Sequence, residues 1–354
     1  MKASGIRLLR TKVMAAAGVL VMLLTAPPPT YADQDIRQVS LSAKDLIYDP
    51  LTQTIYASVP SSGGPTGNSI TPIDPVTGDV GSSVFVGSEP GKLAISDDGQ
   101  FIYVSLDGAA AVRRFVIPTQ TAELQFSLGS DPFFGPYTVE DMQVLPGFPE
   151  SVAISRQNPG VSPKHAGVAI YETGVQRTDT TPRHTGSNVI QFSADASRLY
   201  GYNNETTEYG FRRMRVDDSG VTVVDATPNL IMGFGVDIRF DGGRVYATTG
   251  RVIDPEALTI VGTFSGIPSG SLVAPDSTAG LVFFLTGSAP TVQLKAFDPV
   301  TFLQVGVLDI PDVVGTYSSL IRWGADGLAF RTSGNQVFLI RTPLIPTAAA
   351  LLGK

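Results

Sequence analysis

Cysteine is absent from the 354-residue sequence, and histidine and tryptophan are scarce: there are two histidines, His165 and His184, and one tryptophan, Trp323. Without cysteine the chain has no disulfide framework, no thiolate nucleophile and no Cys-ligated zinc or iron–sulfur site. His165 and His184 are therefore the only side chains that could provide an imidazole for general-base catalysis or metal binding. These absences exclude much thiol- and metal-based enzymology, and we predict no cofactor and no metal.

Basic charge is also in short supply, because 25 lysines and arginines face 32 aspartates and glutamates, which gives a net charge of −7. Four of those basic residues lie within the first 12 positions, so the rest of the chain is more acidic still. An acidic surface repels phosphate backbones. We therefore expect no nucleic-acid partner.

The N-terminal segment is typical of a secretory signal peptide. Its basic start is followed by an apolar run, Val13–Ala26, a triple proline, and small residues on either side of Tyr31 that suit cleavage after Ala32. The run is short for a membrane span, although an uncleaved anchor is the alternative. We predict a signal peptide over 1–32 and no transmembrane anchor after its cleavage. The mature chain is then secreted, periplasmic or at the cell surface.

Short apolar segments that end in a turn signal recur seven times, mostly 47–49 residues apart. The segments begin at Asp45, Lys92, Asp141, Asn188, Val236, Ser271 and Ser319. Each is followed by a second strand, and further strands complete units of four. Seven four-stranded units predict an all-β, seven-bladed β-propeller over 33–342, with 343–354 as a C-terminal tail.

The seventh unit has only three strands before the tail, but an additional strand, Ile36–Leu41, precedes the first unit. We predict that this N-terminal strand closes the last blade and so removes a free sheet edge. Aspartate–proline pairs, such as Asp74–Pro75, follow the third strands and suit type I turns. We interpret those aspartates as turn residues and not as ligands.

The segments Ser96–Ser105 (SDDGQFIYVS) and Ile73–Gly78 (IDPVTG) resemble the repeat of the YVTN-type, lactonase-like seven-bladed propellers exported by bacteria. This resemblance implies the propeller fold and export. It leaves activity open, because propellers serve as binding modules, scaffolds and enzymes.

A calcium-dependent lactonase would need acidic or amide ligands at the channel mouth, and Glu140, Asp141 and Asp237 lie at the starts of predicted first strands. We interpret these acids as solvated at the channel mouth, since charged residues are mostly exposed. We predict no catalytic residue. A histidine within hydrogen-bond reach of Glu140, Asp141 or Arg183 would instead favour an enzyme.

Long loops in a propeller of this strand order share one face, and here they cluster on units two to five. These loops combine aromatic and polar side chains, a mixture that suits a sugar or a peptide. The predicted ligand-binding residues are Phe133, Phe134, Tyr137, His165, Arg183, His184, Asn204, Glu205, Glu208 and Tyr209. We expect a monomeric, non-catalytic binding module for a protein or polysaccharide ligand; the alternative is a propeller-type lactonase or lyase that uses the same face.

Overall fold

The computed structural model of the protein describes residues 35–342 and Leu344. The predicted signal peptide and all of the predicted tail except Leu344 lie outside the described residues. Seven four-stranded antiparallel sheets form the molecule, and the predicted seven-bladed β-propeller is confirmed.

The sheets are numbered here as blades 1 to 7, and their strands are given from the central channel outward. Blades 1 to 4 consist of Asp45–Asp49, Thr54–Val59, Ser69–Ile73 and Val84–Phe85; Pro90–Ile95, Phe101–Leu106, Ala111–Val116 and Thr121–Ser127; Thr138–Leu145, Phe148–Gln157, His165–Glu172 and Val175–Gln176; and Val189–Phe192, Arg198–Tyr202, Gly210–Asp217 and Gly220–Pro228. Blades 5 to 7 consist of Ile238–Asp241, Arg244–Ala247, Arg251–Asp254 and Thr259–Thr263; Leu272–Asp276, Leu281–Ser288, Thr291–Phe297 and Gln304–Ile310; and Tyr317–Trp323, Gly327–Thr332, Gln336–Arg341 and Asp35–Ser40.

The ring closes as predicted, with the N-terminal strand Asp35–Ser40 as the outer strand of blade 7. This strand pairs antiparallel with Gln336–Arg341, placing Ile36 opposite Ile340 and Val39 opposite Val337. The inner strand of each blade contacts that of the next, and the inner strand of blade 7 contacts that of blade 1. The seven inner strands therefore surround a continuous central channel.

The hydrophobic core is divided among the junctions between adjacent blades. In blade 1, Ile55 and Ala57 pack at the junction with blade 7, whereas Tyr56 packs at the junction with blade 2. Successive side chains of a strand point to opposite faces of the sheet. A middle strand of a blade packs against neighbours on both faces, which explains runs of consecutive apolar residues such as Ile102–Tyr103–Val104.

The loops that join second to third strands, and each outer strand to the next inner strand, share one side of the propeller, called here the loop face. The long connections on this face belong mainly to blades 2 to 4, and blade 5 has short ones. Two 3₁₀ turns, Ser61–Thr66 and Asp107–Ala109, and a short hairpin of Ser130–Asp131 with Gly135–Pro136, also lie there. In the described part of the chain no helix is long and apolar enough to cross a bilayer.

The turns on the opposite face match the aspartate–proline interpretation. Asp74 Oδ1 accepts hydrogen bonds from the backbone N–H groups of Val76 (2.7 Å) and Thr77 (3.1 Å). Asp298 Oδ1 accepts the equivalent pair from Val300 (2.7 Å) and Thr301 (2.9 Å). These carboxylates hold their own turns.

Candidate functional site

The connection between blades 2 and 3 presents two exposed phenylalanine rings on the loop face. Asp131 Oδ1 accepts hydrogen bonds from the backbone N–H groups of Phe133 (2.8 Å) and Phe134 (3.1 Å), which fixes the tip of the hairpin. The same hydrogen bonds lower the pKa of Asp131, because they stabilise its charged form. Phe133 is 90% exposed and Phe134 is 58% exposed. The hairpin therefore holds apolar surface in contact with solvent.

Arg183, in the connection from blade 3 to blade 4, ties this hairpin to its neighbour. Its Nη1 forms an ion pair with Asp131 Oδ2 and donates a hydrogen bond to the Tyr137 hydroxyl at 3.2 Å. Tyr137 is buried, with 8% exposure, and the Arg156 guanidinium lies 5.0 Å from its ring centroid. Tyr137 thus packs beneath the exposed hairpin, with its ring shielded from solvent.

His165 forms a buried part of the site, at the start of the third strand of blade 3. Its ring is 3% exposed, and its Nδ1 lies 3.5 Å from Ser155 Oγ, which donates to the Ser187 carbonyl oxygen at 2.7 Å. Its Nε2 has no hydrogen-bond partner within the described range. Burial, reinforced by the charges of Arg212 and Arg156, lowers the pKa of His165 to about 3. The imidazole is therefore neutral near neutral pH.

His184 lies beside His165 but is exposed. Its backbone N–H donates to the His165 carbonyl oxygen at 2.8 Å, and its ring Nδ1 lies 3.1 Å from Thr185 Oγ1. The two histidines thus belong to one pair of adjacent segments, joined through the backbone.

A polar network stands behind the histidines and fixes the 158–164 loop. Glu140 Oε1 lies 3.0 Å from Lys164 Nζ, and Asn188 Nδ2 donates to both oxygens of Glu140, at 3.1 and 3.0 Å. Glu205 accepts the backbone N–H of Lys164 at 2.9 and 3.0 Å, and it also accepts from Asn188 Nδ2 at 3.2 Å. Burial raises the pKa of Glu140. Glu205 therefore acts as a support for the loop.

These loops enclose a cleft of about 340 Å³, called here the loop-face cleft. It contains five of the ten residues predicted from the sequence: Phe133, Phe134, His165, Arg183 and His184. Tyr137 and Glu205 lie behind its walls.

The remaining three predicted residues lie beyond the cleft and stabilise blades 4 and 5. Asn204 Nδ2 donates to the Val236 carbonyl oxygen at 3.0 Å, and the Tyr209 ring packs edge-on against Phe234 with centroids 5.1 Å apart. Glu208 accepts a hydrogen bond from Arg212 at 2.6 Å. Burial alone would raise the pKa of Glu208, but its hydrogen bonds outweigh this effect and lower the pKa.

Sequence reasoning missed the other residues that line the loop-face cleft: Asp131, Asn158, Val161, Pro163 and Lys164. Asp131 had a usable signal, since an aspartate two positions before a phenylalanine pair suits a side-chain-capped turn. Asn158 and Lys164 had none, because their partners lie on other loops.

The acids expected to be solvated at the channel mouth are instead paired with cations, which lie on a neighbouring inner strand for Asp141 and on the adjoining strand of the same blade for Asp237. Asp141 lies 3.4 Å from Lys92 Nζ and accepts the backbone N–H of Ile190 at 2.9 Å. Asp237 lies 2.8 Å from Arg239 Nη1. Among residues 35–342 and 344, no group of three or more histidine or acidic side chains is arranged to hold a metal ion.

A second cavity, of about 310 Å³, lies at the mouth of the central channel on the same face. Its lining is rich in charge from the inner strands and their flanking residues: Lys44, Lys92, Arg239 and Arg331, with Asp45, Asp107 and Asp237. The sequence pattern had placed Asp237 at the channel mouth, but it gave no reason to select Arg331.

No protein-family model matches this chain, and no curated protein matches it significantly. Among solved structures, it is similar to hydrazine synthase of Kuenenia stuttgartiensis, with a TM-score of 0.65 and 13% identity over 92% of this chain and 99% of that one. It is also similar to the β-propeller domain of Myceliophteria thermophila Cps50 (Swd1), with a TM-score of 0.67 and 12% identity over 87% of this chain and 100% of that one. Likeness at such low identity establishes the β-propeller fold and no family within it.

Proposed function

We propose that the protein is an exported, non-catalytic binding module that holds a carbohydrate in the loop-face cleft. The observation that carries the proposal is the pair of exposed rings, Phe133 and Phe134, at the rim of a concave site, where Asp131 holds their backbone. Folded proteins ordinarily bury large aromatic side chains, so two exposed rings leave apolar surface in water. A ligand with apolar faces of its own covers that surface.

The polar side of the cleft suits the hydroxyl groups of a sugar. Arg183 has a side chain that is 57% exposed, and within the described range only its Nη1 is hydrogen-bonded. Its Nε and Nη2 donors are therefore available to a ligand, while the ion pair with Asp131 fixes their direction. A rigid ring beside oriented donors matches the usual composition of a small-ligand site.

The size of the cleft limits how much of a carbohydrate it encloses. At about 340 Å³ it lies at the small end of ligand pockets, which run from roughly 300 to 1,000 Å³. The proposed ligand is therefore a terminal sugar unit, with the rest of the glycan outside. A protein ligand is the competing occupant.

The arrangement of the histidines favours binding over the lactonase or lyase alternative. Within the described chain, neither His165 nor His184 is hydrogen-bonded to Glu140, Asp141 or Arg183. The Ser155 hydroxyl, which is closest to His165 Nδ1, already donates to a backbone carbonyl oxygen. No general base stands beside a free nucleophile here.

A glycan array tests the proposal, with wild-type protein and the double variant Phe133→Ala/Phe134→Ala. We expect the double variant to bind at least about tenfold more weakly, since aromatic contacts dominate such sites. Phe148→Ala is the matched control, because Phe148 is also exposed but lies on the opposite face. Equal binding by the double variant, or binding to a peptide array and to no glycan, contradicts the proposal.

Export is proposed together with the binding function, and it has its own test. Mass spectrometry of the protein released by the cell should find Asp33 as the first residue. A retained N-terminal segment in that sample contradicts cleavage after Ala32.

A further inference from the structure

The channel-mouth cavity is a separate site from the loop-face cleft and has a different chemistry. It lies between residues of blades 1, 2, 5, 6 and 7, and none of its lining residues also lines the cleft. Most of its charges are satisfied by protein groups. Asp237 pairs with Arg239, Lys92 pairs with Asp141, and Asp45 accepts from Ser319 Oγ at 2.6 Å.

Arg331 and Lys44 are the exceptions among these charges, and Lys44 is exposed to solvent whereas Arg331 is half-buried. The side chain of Arg331 forms no hydrogen bond or ion pair with any residue in 35–342 or with Leu344, and its Nε is shielded from solvent. Burial lowers the pKa of Arg331, and only the more distant charge of Asp45 opposes this effect. A partly buried cation without a partner is unusual, because native proteins ordinarily pair such groups.

A second unpartnered donor lies directly beside Arg331. Ser318 is opposite Arg331 in the register of the inner and second strands of blade 7, and its Oγ is also buried without a partner in the described range. Side chains at opposed positions of antiparallel strands have Cβ atoms about 4.5–5.5 Å apart. The two donors therefore stand together on one wall of the cavity.

A bulge in the inner strand of blade 7 brings Ser318 and Ser319 to the same cavity. Successive side chains in a regular strand point to opposite faces, yet both serines line the channel mouth. The pairing register shifts between Ser318 and Ile321, and Ser319 has a φ of 55°. Bulges commonly redirect side chains in this way next to functional sites. Here Ser319 is used for Asp45 while Ser318 stays free.

We infer that the channel mouth binds a small organic monocarboxylate, whose carboxylate group pairs with the guanidinium of Arg331 beside Ser318. A guanidinium edge beside a second donor matches the geometry of a carboxylate. One negative charge balances Arg331. Burial raises the pKa of Asp107, and the hydrogen bond from Ser105 and the charge of Lys44 oppose this effect. A dianion such as phosphate places excess negative charge beside Asp45 and Asp107, which disfavours it.

Titration of the purified full chain with sodium acetate and sodium lactate, at ionic strength held constant with sodium chloride, tests this inference by calorimetry. We expect saturable one-to-one binding of a carboxylate and markedly weaker binding of phosphate and sulfate. Arg331→Gln should weaken carboxylate binding by about tenfold or more, since hydrogen bonds to charged groups contribute that much. Arg215→Gln is the control, because Arg215 is exposed and lies towards the opposite face.

A second measurement covers the case in which Arg331→Gln perturbs folding. Without ligand, that variant should melt near the wild-type temperature, because the side chain of Arg331 has no hydrogen bond or ion pair in the described chain to lose. Ser318→Ala should also weaken carboxylate binding while leaving the strand register intact. Phe133→Ala/Phe134→Ala should bind carboxylate like wild type, so failure of the glycan proposal does not affect this one.

Three outcomes overturn the inference. They are the absence of saturable carboxylate binding to wild type, equal binding by Arg331→Gln and Arg215→Gln, and chloride or phosphate binding as tight as that of the carboxylates.

Discussion

The loop-face cleft and the channel mouth share one face of the propeller but satisfy their side chains in opposite ways. In the cleft, the ion pairs Asp131–Arg183 and Glu140–Lys164 are internal, and exposed rings face the solvent. At the channel mouth, charged side chains make up much of the lining, and the buried donors without a partner in the described chain are Arg331 Nε and Ser318 Oγ. The cleft therefore offers contact area to a ligand, whereas the channel mouth offers charge.

The two regions also differ in how they are built. The cleft is formed by long loops that rise from blades 2 to 4, so each wall depends on contacts between residues on different loops. The channel mouth is formed by the ends of inner strands, whose positions follow from closure of the ring. Changes to the loops should thus affect the cleft alone, and changes to ring closure should affect both regions.

Deletion of the closing strand should have the largest effect and abolish both sites. Removing residues 33–40 from a chain that begins at Asp33 leaves Gln336–Arg341 as an unpaired edge and removes Val39 from the cluster that contains Trp323. We expect aggregation or loss of a cooperative melting transition, measured by circular dichroism and size-exclusion chromatography. The control is a chain that begins at Asp33. An undiminished transition after the deletion contradicts the closure.

Gly186→Ala should damage the cleft and leave the channel mouth unchanged. A Cβ atom at position 186 would lie 2.2 Å from Nε2 of the buried His165 ring, so the ring must move. Overpacking of this kind costs about 1–3 kcal/mol in the free energy of unfolding. In Gly160→Ala, on the same side of the cleft, the new Cβ meets no atom within 4 Å. Urea unfolding should separate the two variants, and equal stabilities would falsify the packing of His165.

Acidification should destabilise the protein through His165 on the cleft side. The pKa of His165 is about 3 in the folded chain and about 6.5 in an unfolded one. Between these values the unfolded chain binds a proton that the folded chain does not, so stability falls as pH falls from about 6.5 towards 3. The contribution is at most about 1.4 kcal/mol per pH unit, whereas above about pH 6.5 it is constant.

His165→Gln should therefore show a shallower decrease in the free energy of unfolding over this acidic range than wild type. Glu140, with a raised pKa, has the opposite sign, and the substitution leaves it in place. The control is His184→Gln, which replaces the other histidine, whose ring is exposed. Parallel curves for wild type and His165→Gln would show that His165 is not buried neutral.

Phe133→Ala should have the smallest effect on stability. Its ring is 90% exposed, so its removal should change the free energy of unfolding by no more than about 0.5 kcal/mol. Tyr137→Ala, under the same hairpin, removes a buried ring and should cost about 3 kcal/mol or more. Urea unfolding of the two variants measures the difference. A loss with Phe133→Ala comparable to that with Tyr137→Ala would mean that the ring packs against the protein.

The architecture could be predicted from the sequence because its signals are local. A strand such as Phe101–Leu106 carries its own apolar pattern, and a turn such as that at Asp74 carries its own capping residue. Seven copies at a near-constant spacing then limit the fold to a ring. The seventh unit lacks a fourth strand, and an additional strand precedes the first unit. These two local observations together predict how the ring closes.

The candidate site could be predicted only in part, because side-chain exposure depends on contacts between loops. Loop length predicted Phe133, Phe134 and His184 as site residues, and all three line the loop-face cleft. The same argument also predicted Tyr137 and Glu205, which do not line it. Tyr137 is buried under Arg156, and Glu205 is engaged by the backbone of Lys164. Both partners come from different segments, and no pattern near either residue indicates them.

By itself the sequence determined the number of blades, the strand order, the closing strand and the face that carries the long loops. These properties follow from apolar alternation and turn chemistry within a few residues. Only the tertiary structure decided that Asp131 meets Arg183, that His165 is buried and neutral, and that Arg331 stands unpaired beside Ser318. Charge pairing and burial depend on which blades and loops become neighbours, and that is fixed when the ring closes.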